Sequence, residues 1–343
     1  MSKLTDHKYL VFDVYGTLVD WETGIYNALQ PLLSRFPSAA QWSRQEALLA
    51  FRAVESDIQA QYPEMPYSDL LAKVHEVLEA RLIVAEGADT VEDSAMPSSL
   101  DVTPASVHIP ASELEPSTST TILTHNAHTT FGHSVRKWAP FPDSVQALRD
   151  LSAHFKLIVL SNVDHKSFAY THAYLSEGTI PSPNQEDNDA PAPPLYSRPS
   201  PNAHPRNLWL PQQTPGSKSP FSLIVTAQDT QAYKPSLDGF ISVFNEIGLE
   251  PTLACAIDDD LQQPPTIGDV KRRSLIVAQS LYHDHEPAKR LGVRSVWIDR
   301  QGAVMIPPEP LSPNEAGYSW RFETLEEMAR AVEKELEEQG STQ

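Results

Sequence analysis

The stretch Tyr9-Leu-Val-Phe-Asp-Val-Tyr-Gly-Thr17 decides the fold of this 343-residue chain. Its apolar residues lead into Asp13, and the Gly16-Thr17 pair predicts a tight turn soon afterwards. A short apolar run that ends in an acid is typical of a buried parallel strand. We therefore expect the first core strand here, with Asp13 at its carboxyl edge.

Helical and strand patterns alternate along the rest of the chain. Three amphipathic helices are predicted between Glu22 and Leu82. Further strands are predicted at 155–160, 221–226, 274–278 and 293–298, with later helices near 236–247 and 325–336. This alternation predicts an α/β fold with a doubly wound parallel sheet and a helical cap inserted after the first strand.

The predicted domains are an α/β core and the cap. The core comprises residues 1–20 and 137–343, and the cap comprises residues 21–136. Within the cap, the polar residues 86–130 predict a flexible low-complexity loop, and residues 176–220 predict a disordered, Pro-rich insertion in the core. Two local expectations follow from the pattern: Asp143 caps a helix, and Cys255 is buried within an apolar run.

Composition and charge argue against several classes of function. The formal net charge of -19 disfavours binding to nucleic acid or to anionic lipid surfaces, because the long-range field repels both. No apolar run approaches the ~20 residues that span a bilayer, and the polar start of the chain lacks a secretory signal. We expect a cytoplasmic protein whose single cysteine forms no internal disulfide.

The residues that end the predicted strands have to be read together, because ligands bind beyond the carboxyl ends of such strands. They are Asp13, Ser161-Asn162, Lys234, and Ser280 with Asp284. Together they offer a carboxylate nucleophile, hydroxyl and amide groups for an anionic substrate group, and a fixed cation. We therefore expect a small-molecule substrate that bears an anionic group.

The order of these elements resembles the four motifs of the haloacid dehalogenase superfamily: an Asp with a Gly-Thr turn, then Ser-Asn, then Lys-Pro, then an acid in a loop. Phosphatases of that superfamily resemble one another in a general-acid Asp two residues after the nucleophile, where this chain has Tyr15. The Asp-x-Tyr-Gly-Thr pattern is instead similar to the (S)-2-haloacid dehalogenase branch, whose halide leaving group needs no proton. Gln279 also stands where the phosphatases have a metal-binding acid.

The resemblance implies a role for each site residue. Asp13 would attack the halogen-bearing carbon, Lys234 would keep Asp13 ionised, and Asp284 would activate the water that hydrolyses the aspartyl ester. Arg52 on the second cap helix would reach the carboxylate or halide of the substrate. The remaining substrate-binding positions are Tyr15, Thr17, Ser161, Asn162 and Ser280. The resemblance implies no metal or other cofactor and is compatible with a homodimer.

Two alternatives stay open at this point. A Mg²⁺-dependent phosphatase would use Asp13 and Asp284 at the metal, and a noncatalytic binding protein would recruit partners through its polar insertions. Departures from the dehalogenase pattern also occur: Leu281 replaces its Asn and Phe240 replaces its Tyr. In the 283–286 segment, two histidines alternate with two acids. On a regular helix this alternation cannot direct both imidazoles to one metal ion, so we predict exposed histidines beside an Asp284 that caps the helix. The Asp run at 258–260 is predicted to be a solvated loop.

Overall fold

A single six-stranded sheet organises the chain. The computed structural model describes residues 2–92, 126–179, 193–255, 265–300, 303 and 317–341. All pairings are parallel, in the order β3-β2-β1-β4-β5-β6. The strands are β1 (Tyr9–Phe12), β2 (Lys156–Ser161), β3 (Phe221–Thr226), β4 (Ser274–Ala278), β5 (Arg294–Ile298) and β6 (Trp320–Phe322).

Helices surround this sheet and fill the connections between its strands. Between β1 and β2 they are α1 (Trp21–Leu33), α2 (Arg44–Gln61), α3 (Tyr67–Glu92), α4 (126–132) and α5 (Ser144–Ser152). Between β2 and β4 they are α6 (His165–Glu177), α7 (Ala227–Thr230), α8 (Leu237–Leu249), α9 (Pro251–Ala254) and α10 (Ile267–Arg272). The last two are α11 (Glu286–Leu291) and α12 (Leu325–Gly340). The α/β fold class predicted from the sequence is confirmed.

The position of β1 explains why its short sequence governs the fold. It lies between β2 and β4, with Phe12 opposite Val159 on one side and Val277 on the other. Alternate residues face opposite sides of the sheet: Leu10 and Phe12 pack in one apolar core, while Tyr9 and Val11 pack in a second. Because strand order reverses beside β1, the crevice between the ends of β1 and β4 is where a ligand site is expected.

The helices between β1 and β2 stand at this carboxyl edge. We call residues 21–92 and 126–137 the helical insertion. Helix α2 begins with a capping box, in which the side chains of Ser43 and Glu46 each accept a hydrogen bond from the other's backbone amide. The Tyr233 hydroxyl donates to the Met65 carbonyl over 2.7 Å, and the Ser68 amide donates to Asp164 over 3.3 Å. The insertion is therefore attached to the loops that follow β2 and β3.

The expectation of disorder across 176–220 is wrong for the part that the structure describes. Residues 193–220 pack against the core, with Trp209 fully buried and its carbonyl accepting a hydrogen bond from the Ile224 amide of β3. The Trp209 ring stands edge-on to Phe168 and His172 of α6. Trp209 is thus one anchor of a proline-rich segment, together with the buried Tyr196 and the Arg206–Glu250 ion pair, and composition alone does not reveal such contacts.

Other local expectations also need correction. Helix α3 continues into the predicted loop as far as Glu92, and residues 126–130 are helical, while 93–125 lie outside the described residues. Cys255 is exposed instead of buried. Asp143 makes no side-chain cap to the helix that follows it; its carboxylate instead binds Arg300 and the Leu325 amide. Strand β6 was not predicted, and the Asp run at 258–260 lies outside the described residues.

Within the described ranges, no helix combines the length and apolarity needed to cross a bilayer.

We predict that Trp209→Ala lowers the free energy of unfolding by about 3–5 kcal/mol, because it empties a buried aromatic site between the 193–220 segment and the core. Urea unfolding measures this change. The control is Leu249→Ala, whose side chain is 65% exposed and whose removal should cost less than about 0.5 kcal/mol. Equal losses in the two variants would show that the segment is not anchored by Trp209.

Candidate functional site

The turn after β1 fixes the carboxylate of Asp13. The Thr17 hydroxyl donates to Asp13 Oδ2 over 2.7 Å and in turn accepts from the Gln279 amide over 2.9 Å. Gly16 has φ +97°, and a Cβ there would lie 3.0 Å from Trp21 Nε1. Glycine suits this position because side chains disfavour that backbone region. Asp13 therefore sits in a turn tied directly to the end of β4.

Lys234 places a cation between two acids. Its Nζ donates to Asp13 Oδ1 over 2.6 Å and to Asp284 Oδ1 over 2.8 Å, and all three side chains are buried. Asn162 holds the lysine backbone, accepting from its amide over 2.7 Å and donating to its carbonyl over 3.2 Å. Burial acts to lower the pKa of Lys234, but Asp13 and Asp284 together outweigh it and raise that pKa.

Asp284 approaches the centre from a π-helical turn, Leu281–His285, directly after β4. Such turns are often found at functional sites. Burial raises the pKa of the Asp284 carboxyl to about 7; the Lys234 ammonium opposes this rise and the Asp13 charge adds to it. A carboxyl with a pKa near neutrality can exchange a proton with water at working pH.

Two buried polar atoms at this edge have no hydrogen-bond partner among the described residues. They are Ser161 Oγ, at the end of β2, and Asp284 Oδ2. Buried polar atoms are nearly always paired, so each unpaired one needs an explanation. A bound anionic substrate and a water would supply the missing partners.

The helical insertion brings charged and polar side chains towards the same region. Arg52 of α2 is close enough to lower the pKa of His283 by its positive charge, although burial is the larger cause and brings that pKa to about 4. One turn further along α2, Glu55 is buried and accepts from the Tyr67 hydroxyl over 2.9 Å. Burial raises the pKa of Glu55. The role of Arg52 stays a prediction, and sequence reasoning missed the buried Glu55–Tyr67 pair.

Tyr15 does not present a free acid to the centre. Its hydroxyl is hydrogen-bonded to the Thr171 hydroxyl over 2.9 Å, and its ring stands edge-on to Trp138. Burial raises the pKa of Tyr15 well above its usual value near 10. The side chain is therefore an aromatic wall of the site and a poor proton donor.

The structure separates the predicted site residues into two groups. Asp13, Lys234 and Asp284 meet directly, and the Ser161 hydroxyl is left for a ligand. Thr17, Asn162 and Ser280 instead have partners inside the protein. Thr17 bonds to Asp13, Asn162 bonds to the Lys234 backbone, and the Ser280 hydroxyl accepts from the His283 amide and contacts the His283 ring. These three side chains position the loops of the site.

Two further features were missed or wrongly predicted from the sequence. Arg300, just after β5, donates to the Thr17 carbonyl over 2.8 and 3.1 Å and to Asp143 over 2.8 and 2.9 Å. The position of Arg300 at a strand end is the sequence feature that could have identified it. His285 is fully buried, not exposed, and binds Ser295 and the Ala278 carbonyl. Asp284 is likewise no helix cap, because Ser280 caps the turn.

Comparison with solved structures identifies the fold, whereas no protein-family model and no curated protein matches the sequence. One similar structure is a dehalogenase with an intermediate complex, at 12% identity and TM-score 0.52, covering 96% of this chain and 97% of that one. Another is the defluorinating L-2-haloacid dehalogenase Rha0230, at 13% identity and TM-score 0.51, with coverage of 96% and 98%. The matched region thus spans nearly the whole of each protein.

A third similar structure is the L-2-haloacid dehalogenase from Xanthobacter autotrophicus with chloropropionic acid covalently bound. It is 15% identical with TM-score 0.51, and the match covers 95% of this chain and 98% of that one. At such identities the likeness establishes a common fold. This chain has the haloacid dehalogenase-like α/β fold.

We predict that Lys234→Met lowers the free energy of unfolding by about 3–5 kcal/mol at pH 8, because it leaves two buried carboxylates without their cation. The loss should be smaller at pH 5. The pKa of Asp284 in the folded protein is raised, and removing the lysine raises it further. At low pH the buried carboxyl is protonated, which favours the folded state. The free energy of unfolding therefore falls as the pH rises through that pKa.

Urea unfolding at the two pH values tests this prediction. Lys218→Met is the matched control, because Lys218 is exposed and pairs with Glu177 at the surface. A loss of stability that is the same at pH 5 and pH 8 would contradict the expectation that the unpaired charge of Asp284 destabilises the variant.

Proposed function

We propose that this chain, whose fold is that of the haloacid dehalogenase superfamily, is a hydrolase of the (S)-2-haloacid dehalogenase type. The observation that carries the proposal is the Lys234 ammonium held between the buried carboxylates of Asp13 and Asp284. It pairs a nucleophile with a second acid that can act on water. The poor acid at Tyr15 suits a leaving group that departs without a proton.

The first step forms an ester on Asp13. A carboxylate oxygen attacks the halogen-bearing carbon, a new C–O bond forms, and the halide leaves with the electron pair of the C–X bond. Lys234 and Ser161 hold the substrate carboxylate, and Lys234 and Thr17 fix the attacking group at 2.6 and 2.7 Å. Such fixed geometry supplies much of the rate that nucleophilic catalysis needs.

The second step hydrolyses that ester. Water attacks the Asp13 carboxyl carbon and Asp284 takes one of its protons. The ester C–O bond at that carbon then breaks, the departing alkoxide takes the second proton, and a 2-hydroxy acid is released with the Asp13 carboxylate restored. Esterification removes the negative charge of Asp13, which is one of the causes that raise the pKa of Asp284. The base therefore becomes more fully ionised at the stage when water must be activated. Its unpaired Oδ2 is the atom that would accept the proton.

The helical insertion acts as a cap in this proposal. Arg52 is the cation that would reach the carboxylate or the departing halide, and its charge already acts on His283 beside Asp284. The hydrogen bonds from Tyr233 to Met65 and from Ser68 to Asp164 keep the insertion over the strand ends. Closure of this kind excludes bulk water and strengthens charge interactions within the site.

The donor set does not fit a Mg²⁺ ion. Of the four carboxylate oxygens on Asp13 and Asp284, three already accept a hydrogen bond from Lys234 or Thr17. Gln279 supplies an amide where a further acid would be needed, and magnesium requires several oxygen ligands in near-octahedral geometry. Among the described residues, no group of three or more histidine, cysteine, aspartate or glutamate side chains could hold a metal.

We predict that the protein releases halide from (S)-2-chloropropionate at the same rate with Mg²⁺ and with a chelator. It should not hydrolyse an aryl phosphate beyond the rate of Asp13→Asn, which removes the nucleophile and serves as the blank. Chloride and phosphate assays measure the two activities. Phosphate release that depends on Mg²⁺ and on Asp13 would replace this proposal with a phosphatase. Inactivity on both substrates across a series of short 2-haloacids would favour a binding protein.

We predict that Asp284→Asn accumulates the ester, because the first step keeps its nucleophile while the water loses its base. One equivalent of halide should appear per protein molecule, with turnover reduced at least about 100-fold. Intact-mass spectrometry should then show the added 1-carboxyethyl group, and peptide mapping should place it on Asp13. Asp238→Asn, at an exposed carboxylate, is the control and should turn over normally. Loss of halide release without any adduct would argue against a covalent route.

A further inference from the structure

A cavity beside the reaction centre has no part in the steps proposed above. It measures about 170 Å³ and lies between the α2–α3 connection and the loops after β2 and β3. The residues that give it its chemistry are Glu64, Tyr67, Asp164, Gln228, Gln231 and Tyr233. They come from the helical insertion and from the core, so the cavity exists only where the two parts meet.

The cavity adjoins the site through the backbone of two of its loops. Tyr233 immediately precedes Lys234, and Asp164 lies two residues after Asn162. At no more than about 3.6 Å per residue, these walls begin within about 7 Å of chain from residues of the centre. The Tyr67 ring that lines the cavity also stands edge-on to Trp138, which contacts Tyr15 beside the nucleophile. The cavity and the reaction centre therefore share the loops that follow β2 and β3.

The walls of the cavity are polar and carry negative charge. They include the carboxylates of Glu64 and Asp164, two amide side chains and two phenols. The phenols and Asp164 already have partners inside the protein, so Glu64 and the two amides are the groups left to meet a ligand. No lysine, arginine or histidine belongs to the described lining, and the neighbouring Arg198 binds Asp229. An anionic group in this space would be repelled, whereas a hydroxyl or amide group could bond to the Glu64 carboxylate or to the amides of Gln228 and Gln231.

We propose that this cavity is a subsite for the tail of the substrate and selects an uncharged chain that ends in a hydroxyl or amide group. This inference rests on the proposed function. The anionic head of the acid lies against Lys234 and Ser161, and a tail of about four carbons enters between Tyr67 and Tyr233. The natural substrate is then longer than a simple 2-halopropionate and carries charge only at its head.

Three acids with the same head and chain length test the subsite: (S)-2-chlorohexanoate, (S)-2-chloro-6-hydroxyhexanoate and (S)-2-chloroadipate. Their kcat/KM values come from halide release at low salt. We expect the hydroxylated acid to be the best substrate and the adipate to be at least ten-fold worse. Glu64→Lys should raise the ratio of adipate to hydroxylated acid about ten-fold, because it reverses one charge some 6 Å from the tail carboxylate.

The control and the salt response separate this subsite from a general change of charge. Glu333→Lys makes the same reversal at an exposed position on α12 and should leave the ratio unchanged. The Glu64→Lys effect should shrink in 1 M salt, where charges are screened within about 3 Å. Because Glu64 is exposed, its replacement should not impair folding.

The outcomes distinguish this inference from the function on which it rests. Halide release from all three acids at similar kcat/KM overturns the subsite. A ratio of adipate to hydroxylated acid that Glu64→Lys leaves unchanged also overturns it. Both outcomes leave the dehalogenase proposal standing. Halide release from none of them, and none from shorter 2-haloacids, overturns both. Release in the expected order, with the ratio shifted by Glu64→Lys alone, supports both.

Discussion

The bridge from Lys234 to Asp13 and Asp284 is the constraint on which the rest of the site depends. Two carboxylates buried on neighbouring strand ends would repel each other and would lose their hydration. The shared ammonium offsets negative charge on the two acids and donates a hydrogen bond to each of them. Such an arrangement is costly if any member is displaced, so the surrounding loops must hold each side chain in place.

The supporting contacts are spread over much of the sheet. Asn162, after β2, fixes the backbone of Lys234, and the Gln279 amide, after β4, holds the Thr17 hydroxyl. Arg300, after β5, binds the Thr17 carbonyl and links the turn after Asp13 to Asp143 and so to the start of α12. Residues that follow β2, β4 and β5 thus hold Lys234 and the turn after β1 in place. This is the structural reason why a parallel sheet with β1 at its centre can carry the site.

The hydrophobic pattern of the sequence predicted the strands whose formation depends on residues close together in the chain. Strands β1, β3 and β4 are short apolar runs buried on both faces, and their residues appear in the sequence as uninterrupted hydrophobic stretches. The acids and the lysine at their ends could be grouped because parallel strands end at one edge. Other contacts between residues far apart in sequence could not be predicted. The hydrogen bond between Trp209 and Ile224 of β3 and the ion pair of Asp143 with Arg300 are examples, since nothing in their own segments indicates a distant partner.

Histidines and polar residues were misjudged for a related reason. His285 looks like a surface residue among charged neighbours, but a π-helical turn rotates it into the core, where Ser295 and a backbone carbonyl satisfy both ring nitrogens. The same turn places Asp284 against Lys234. A regular helix after β4 would give these adjacent side chains other directions, because its residues advance by 3.6 per turn. The departure from regular geometry is therefore part of how the second acid reaches the site.

The replacements around Asp13 form a consistent set when their contacts are compared. Gln279 contributes its backbone, donating its amide to Thr17 and accepting from Trp297 Nε1, so its position can be kept without an acidic side chain. The Tyr15 hydroxyl is bonded to Thr171, and its ring packs against Trp138. The cation that contacts Asp13 is Lys234. These contacts support the leaving group that we propose, which departs as a stable anion without taking a proton.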